Sequence, residues 1–342
     1  VPRRPRQPTR PVTGPVTLAD AERLGVTRYE LSTARWTRLG RGVRLPAHLP
    51  ASDPDNRIAA VLAGLPSWAV LGGWAALRWQ GVPALDGRTG PGGRDLLPIM
   101  VHAGPRRHLR DRASVLVDRS TIPAADVVKV RGVWVTRPVR AVFDEACRRG
   151  AEEGVVVGDA AWRAGKLTGP EVEAYVASQS RTRGLPAARV AAPLLSPHAK
   201  SAPESRLRYV WVVEAGLPVP LVNPLLVDDD GEVVGEPDLL DVDAATVGEY
   251  DGSQHRELRQ HTSDNVREEG FEGLNLTVVR ATALDLWPHR AQLLGRLRDG
   301  WQRGDRRDRS RDPVRRTASD VIVCAATAAS RDEKAPERYK RS

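Results

Sequence analysis

Polar and apolar positions divide the chain into stretches of helical spacing and stretches of alternating or continuous apolar character. Leu18, Ala21 and Leu24 follow Thr17, a residue type that caps helix starts, and stop at Gly25. Thr27 opens a second short helix over residues 28–34, and the pair across a Gly-Val-Thr turn reads as a helix-turn-helix. Leu18, Ala21, Leu24, Val26 and Leu31 would form its small core, with residues 38–46 following as a β-ribbon wing. Helices are then predicted at 56–65 and 68–79, the second with small residues at Gly72, Gly73, Ala75 and Ala76. Residues 97–103, 114–118 and 127–136 are strand-like, and 139–149, 152–165 and 170–183 are helical. Ala- and Pro-rich residues 186–198 read as a linker. Beyond it the pattern is helix 202–215, strand 222–227, turn 228–231, two strands around 233–251, helix 256–272, strand 275–281 and helix 285–301.

This order predicts an α/β fold, α+β overall. Its parts are a disordered basic arm (1–14), a winged helix-turn-helix (15–50), a mixed α/β domain (51–185), a linker (186–199), an αβββαβ domain (200–301) and a disordered charged tail (302–342).

Composition changes the picture once charge is located. The 342-residue chain carries +9 overall. Residues 1–11 hold four Arg and no acid, and residues 302–342 hold twelve basic and seven acidic side chains. The tails therefore account for the basic balance. Within the body, residues 101–150 have eleven basic against five acidic residues, while residues 200–301 have ten against nineteen. An acidic module repels nucleic acid unless metal ions or a basic neighbour help it. No apolar run is long enough for a membrane span. Residues 1–15 lack the apolar core of a secretory signal. Cys147 and Cys324 fit reduced thiols in a cytoplasmic protein, with no zinc pattern. The chain begins with Val, as a clipped product or a GTG-started frame would.

Chemistry concentrates between Val234 and His255. Ala244-Ala245 would turn one short strand into another, bringing Asp238, Glu249 and Asp251 to one edge. Residues 249 and 251 share a face of a strand. Converging carboxylates repel and raise one another's pKa values unless a cation sits among them. Mg2+ takes oxygen ligands of this kind.

Pro237-Asp238, ten residues, then Glu249-Tyr250-Asp251 resembles the PD-(D/E)XK nuclease superfamily, and Glu-Tyr-Asp-Gly-x-x-His is similar to very-short-patch-repair-like endonuclease domains. The resemblance covers roughly residues 201–301. It includes Ser201-x-x-Glu204 on the first helix, and Asp264 and Arg267 on the later one. It implies Mg2+ or Mn2+ held by Asp238, Glu249, the Tyr250 carbonyl and Asp251, with His255 or Glu204 taking a proton from water. Asp264 would face the metal and Arg267 a phosphate. One departure is clear: the third motif residue is ordinarily Lys and here is Asp251.

The front of the chain resembles the winged-helix region of type IV abortive-infection antitoxins. The similarity continues through Leu71-Gly-Gly-Trp74-Ala-Ala-Leu77 and Val135-Thr-Arg-Pro-Val-Arg140-Ala-Val-Phe-Asp144. That resemblance implies DNA contact through Arg28, Arg35, Arg38, Arg41 and Arg44, the wing touching phosphates. Together the two imply a DNA-binding protein with a metal-dependent endonuclease domain, in phage defence or DNA repair. The alternative is a non-enzymatic antitoxin-like transcriptional regulator with a degenerate nuclease domain. A third option is an RNA-directed nuclease. A toxin protein is the partner that the antitoxin resemblance implies.

Structural readings compete residue by residue. Glu204 at the third position after Ser201 also fits a capping box, and the two readings are even. Asp251 could simply start an Asp-Gly turn, His255 could cap a helix, and Asp264 and Arg267 could pair with each other.

Overall fold

The computed structural model describes residues 12–40, 42–90, 93–227, 233–252, 271 and 275–307. The expected turn at 228–231, the helix 256–272 apart from residue 271, with His255, Asp264 and Arg267, and Arg41 lie outside these residues. So do the first eleven residues and those after 307.

Residues described near the N-terminus build a small three-stranded unit. β1 (Val16–Thr17) leads into α1 (Leu18–Arg23). The Thr17 hydroxyl accepts the Asp20 N–H at 3.0 Å and the Asp20 carboxylate accepts the Thr17 N–H, so the expected cap forms. The second helix does not. Only a 3-10 turn, Glu30–Ser32, stands where residues 28–34 were expected. The Ser32 and Thr33 hydroxyls donate to the Tyr29 and Glu30 carbonyls at 2.6 and 2.7 Å, and Thr33 is extended. These side chains satisfy carbonyls that a continuing helix would have used. β2 (Trp36–Gly40) and β3 (Val43–Pro46) form the expected ribbon, in the antiparallel order β1-β3-β2. Val16, Ala21, Val26 and Leu31 are buried beneath it.

α2 (Pro54–Ala63) opens the middle region. The stretch 68–79 divides into a buried strand, β4 (Val70–Leu71), and α3 (Gly73–Trp79). Gly72 and Gly73 make that break: Gly73 has φ +57, and a side chain there would strike the Glu145 carboxylate. β5 (Arg88–Thr89) pairs with β6 (Asp95–Leu96). β7 (Ile99–His102), β8 (Val115–Asp118), β9 (Val127–Val130) and β10 (Val133–Thr136) follow. The expected single run 127–136 is a hairpin, turning at Arg131 (φ 48) and Gly132 (φ 80). The sheet order is β8-β7-β4-β10-β9.

Helices α4 (Pro138–Arg149), α5 (Ala151–Arg163), α6 (Gly169–Ser178) and α7 (Leu185–Ala191) join this sheet in one core. α7 occupies the expected linker. Leu185, Ala188 and Ala191 recur on one helical face and are buried, so small apolar residues there mark close packing rather than a tether.

The last region begins with α8 (Ala202–Tyr209), extended by a π-helical turn, Val210–Glu214. The expected strand 222–227 is broken into β11 (Leu221–Val222) and β12 (Leu226–Val227). Asn223 is left-handed there (φ 48), and Pro224 has no N–H to give a ladder. β13 (Val233–Gly235) pairs with β12. β14 (Leu239–Asp241), β15 (Thr246–Tyr250) and β16 (Thr277–Ala281) complete a sheet of order β11-β14-β15-β16. The first two pairings are antiparallel and β15–β16 is parallel. The final helix divides at Trp287-Pro288 into α9 (Ala283–Leu286) and α10 (Arg290–Arg306), which continues past the expected end at 301. Among the described residues, no helix is long and apolar enough to cross a membrane.

Charge pairs join the middle region to the last one. Arg206 of α8 reaches Glu152 at 2.9 Å and Glu153 at 2.5 Å on α5. Arg290 holds Glu152 with both terminal nitrogens, each at 2.9 Å, and Glu214 at 2.8 Å.

Candidate functional site

Asp238 and Glu249 are brought together. Leu239 registers with Gly248 across β14 and β15, so Asp238 stands opposite Glu249 one step further on. Residues directly opposed in an antiparallel pair lie on the same face. The contacts agree: the Asp238 N–H donates to Glu249 Oε1 at 3.3 Å, and the Tyr250 N–H donates to Asp238 Oδ2 at 2.7 Å. Both acids are half-buried. β15 is an interior strand, which is why Glu249 needs partners at all. Across the parallel pairing it registers with Arg280 of β16.

Tyr250 ends β15, and burial, with the Asp251 charge second, pushes its phenol above the ordinary range. Asp251 follows the strand, its N–H donating to the Ala281 carbonyl at 2.7 Å.

Glu204 sits at the start of α8 and is almost completely buried. Its carboxylate accepts the Lys200 N–H at 2.7 Å, the Ser201 hydroxyl at 2.8 Å and the Asn223 side-chain amide at 2.9 Å. Ser201 caps the helix, its hydroxyl accepting the Glu204 N–H at 3.4 Å, but the carboxylate takes the Lys200 N–H rather than the Ser201 N–H that the full capping box would need.

Asn223 is the residue that sequence reasoning missed. Its side chain grips Glu204, and its own N–H donates to the Asp238 carbonyl at 3.0 Å. It thereby ties the helix start to the carboxylate-bearing strand. The available signal was an Asn before Pro at the end of an apolar run, since Asn tolerates the left-handed conformation. Lys200 forms an ion pair with Glu236 beside this junction. Among the described residues, no three His, Cys, Asp or Glu side chains gather closely enough to hold a metal ion.

The expected DNA-contacting arginines divide. Arg28, Arg35 and Arg38 are exposed. Arg44 is not available in the same way: its guanidinium donates to the Leu31 carbonyl at 3.3 Å and to the Val43 carbonyl at 3.2 Å. It braces the 3-10 turn against β3.

Comparison with family models, with curated proteins and with solved structures returned no match for this chain.

Proposed function

We propose that the chain is a DNA-binding protein whose C-terminal region hydrolyses phosphodiester bonds with Asp238 and Glu249. The opposition of these two carboxylates on neighbouring strands carries the reading. The element order supports it, a helix before three antiparallel strands and then a parallel strand, as the nuclease resemblance implies. Two adjacent carboxylates suit a Mg2+ or Mn2+ ion that keeps several waters. Such an ion would offset charge at a phosphate and acidify a bound water. Asp238 and Glu249 would hold it, with the Tyr250 carbonyl as a further ligand implied by the resemblance. Asp251, which the resemblance also implies, forms no ready three-carboxylate cluster with them among the described residues and would have to move toward the ion. Tyr250 N–H and Asn223 N–H fix the Asp238 segment so that its carboxylate does not have to be ordered during the reaction. The capped helix, the ribbon and exposed Arg28, Arg35 and Arg38 are the basis for a winged DNA-binding module at the front.

A second reading has its own observation. Glu204 is occupied by three donors, and Asp251 stands where the resembled nucleases place Lys. This favours an antitoxin-like regulator whose acidic region contacts a protein partner. Incubation of the full chain with supercoiled plasmid and Mg2+ or Mn2+ separates the two. Nicked or linear product that disappears in Glu249→Gln supports hydrolysis. Intact plasmid under every condition, with operator-like DNA binding retained, supports the regulator.

A further inference from the structure

We propose that the β7–β8 connection, residues 103–114, is a second nucleic-acid contact, gripping the phosphodiester backbone through Arg106, Arg107, Arg110 and Arg112. All four side chains are exposed. Among the described residues none of them forms an ion pair, whereas the nearby Arg119 does.

The single acid of the connection does not cancel this charge. Asp111 accepts the Val117 N–H at 2.8 Å and the Arg119 guanidinium at 3.0 Å. It is committed to the loop's own architecture, and Arg119 neutralises it. Four like charges within seven positions repel one another unless anions lie among them.

The connection is held rather than loose. Arg112 and Val115 exchange both backbone hydrogen bonds at 3.0 Å, and Arg119 donates to the Leu109 carbonyl at 3.0 Å. The Arg107 guanidinium lies over the Trp68 ring, 4.7 Å from its centroid. A fixed guanidinium keeps its planar donor edge for an anion and loses less entropy on binding one.

Arginine forks match phosphate oxygens, which makes a phosphodiester the best-fitting anion. An anionic bilayer fits less well, because surface association also draws on inserted apolar groups. The one large apolar side chain of this loop, Leu109, packs back onto the protein core. The inference goes beyond the proposed winged module and rests on that reading only in expecting a nucleic acid as partner.

The test uses the full chain and a short mixed-sequence DNA duplex, with affinity measured across a range of KCl concentrations. Three proteins are compared: unmodified, Arg106→Gln/Arg107→Gln/Arg110→Gln/Arg112→Gln, and Arg28→Gln/Arg35→Gln/Arg38→Gln. Melting curves establish that each is folded. Each lost phosphate contact lowers the salt slope by about 0.9, so the loop variant is expected to lose about two units or more. An unchanged slope in the loop variant, with a reduced slope in the other, overturns this inference and leaves the winged module standing. The reverse pattern supports this inference and refutes the winged module. No duplex binding by the unmodified protein overturns both. Loop-dependent binding to phosphatidylserine vesicles or to a polyglutamate peptide, without an effect on the duplex, also overturns it.

Discussion

Asp159 on α5 and Arg208 on α8 meet at 2.6 Å with both side chains almost wholly removed from solvent. The Ser205 hydroxyl and the Ser196 N–H complete the carboxylate's partners at 2.6 and 2.8 Å. This junction fixes the helix that carries Glu204 against the middle core, so the acidic sheet does not hang from a free tether.

Removing one partner should therefore be costly. Asp159→Ala is expected to lower unfolding free energy by about 3–5 kcal/mol, because Arg208 would be left charged and buried. Arg208 Nε and Nη1 make no hydrogen bond among the described residues. The pair is thus incompletely satisfied, and Asp159→Leu/Arg208→Met should recover most of the loss. Urea denaturation of the three proteins checks the order.

Glu152 gives the same junction a pH dependence. Burial opposes its ionisation, but Arg290 and Arg206 outweigh burial and hold the carboxyl below its ordinary value of 4.5. A carboxyl depressed in the fold stabilises it above the unfolded value, and that contribution is lost as pH falls through the folded value. Glu152→Gln should cost about 1.5–3 kcal/mol at neutral pH, the range for hydrogen bonds to charged groups. The difference from the unmodified protein should narrow below pH 4.5. Thermal melts of both proteins across that range would show a constant difference if the pair were electrostatically silent.

Two glycines on α10 should respond in opposite directions. A Cβ at Gly304 would run into the Ala244 carbonyl oxygen, whereas one at Gly295 meets nothing within 4 Å. Gly304→Ala is expected to destabilise by about 1–3 kcal/mol through overpacking. Gly295→Ala should stabilise by up to about 1 kcal/mol through helix propensity. Equal shifts in melting temperature would mean that α10 does not lie on the β14–β15 turn.

These particulars show what the chain made legible. Periodicity located α4, α5 and the Ala244-Ala245 turn because each obeys local rules, helical spacing in two cases and a break between β-formers in the third. It misplaced 68–79, where buried β4 carries apolar residues that look the same in a helix, and only the left-handed Gly73, where the Glu145 carboxylate leaves no room for a side chain, decides. It missed α7 because Ala and Pro read as a linker until neighbours press on them. At the site, the Asp238–Glu249 opposition followed from the hairpin that turns at Ala244-Ala245. Asn223 and the α5–α8 charge pairs did not, since residues up to 54 positions apart have no local signature.

Asp251 distinguishes a working centre from a relic. If it serves as a further oxygen ligand in place of the Lys, Asp251→Asn should abolish plasmid cleavage while the melting temperature stays within a few degrees. Cleavage should need millimolar Mg2+ or Mn2+, and Asp251→Lys should retain it. Full activity of Asp251→Asn would remove this residue from the chemistry.

The most direct test of the account is calorimetric titration of the full chain with Mn2+, in the absence of nucleic acid. Joint ligation by Asp238 and Glu249 predicts a saturable site in the unmodified protein that disappears in both Asp238→Asn and Glu249→Gln, with unchanged melting in metal-free buffer. Identical Mn2+ isotherms for the unmodified protein and both variants would contradict it.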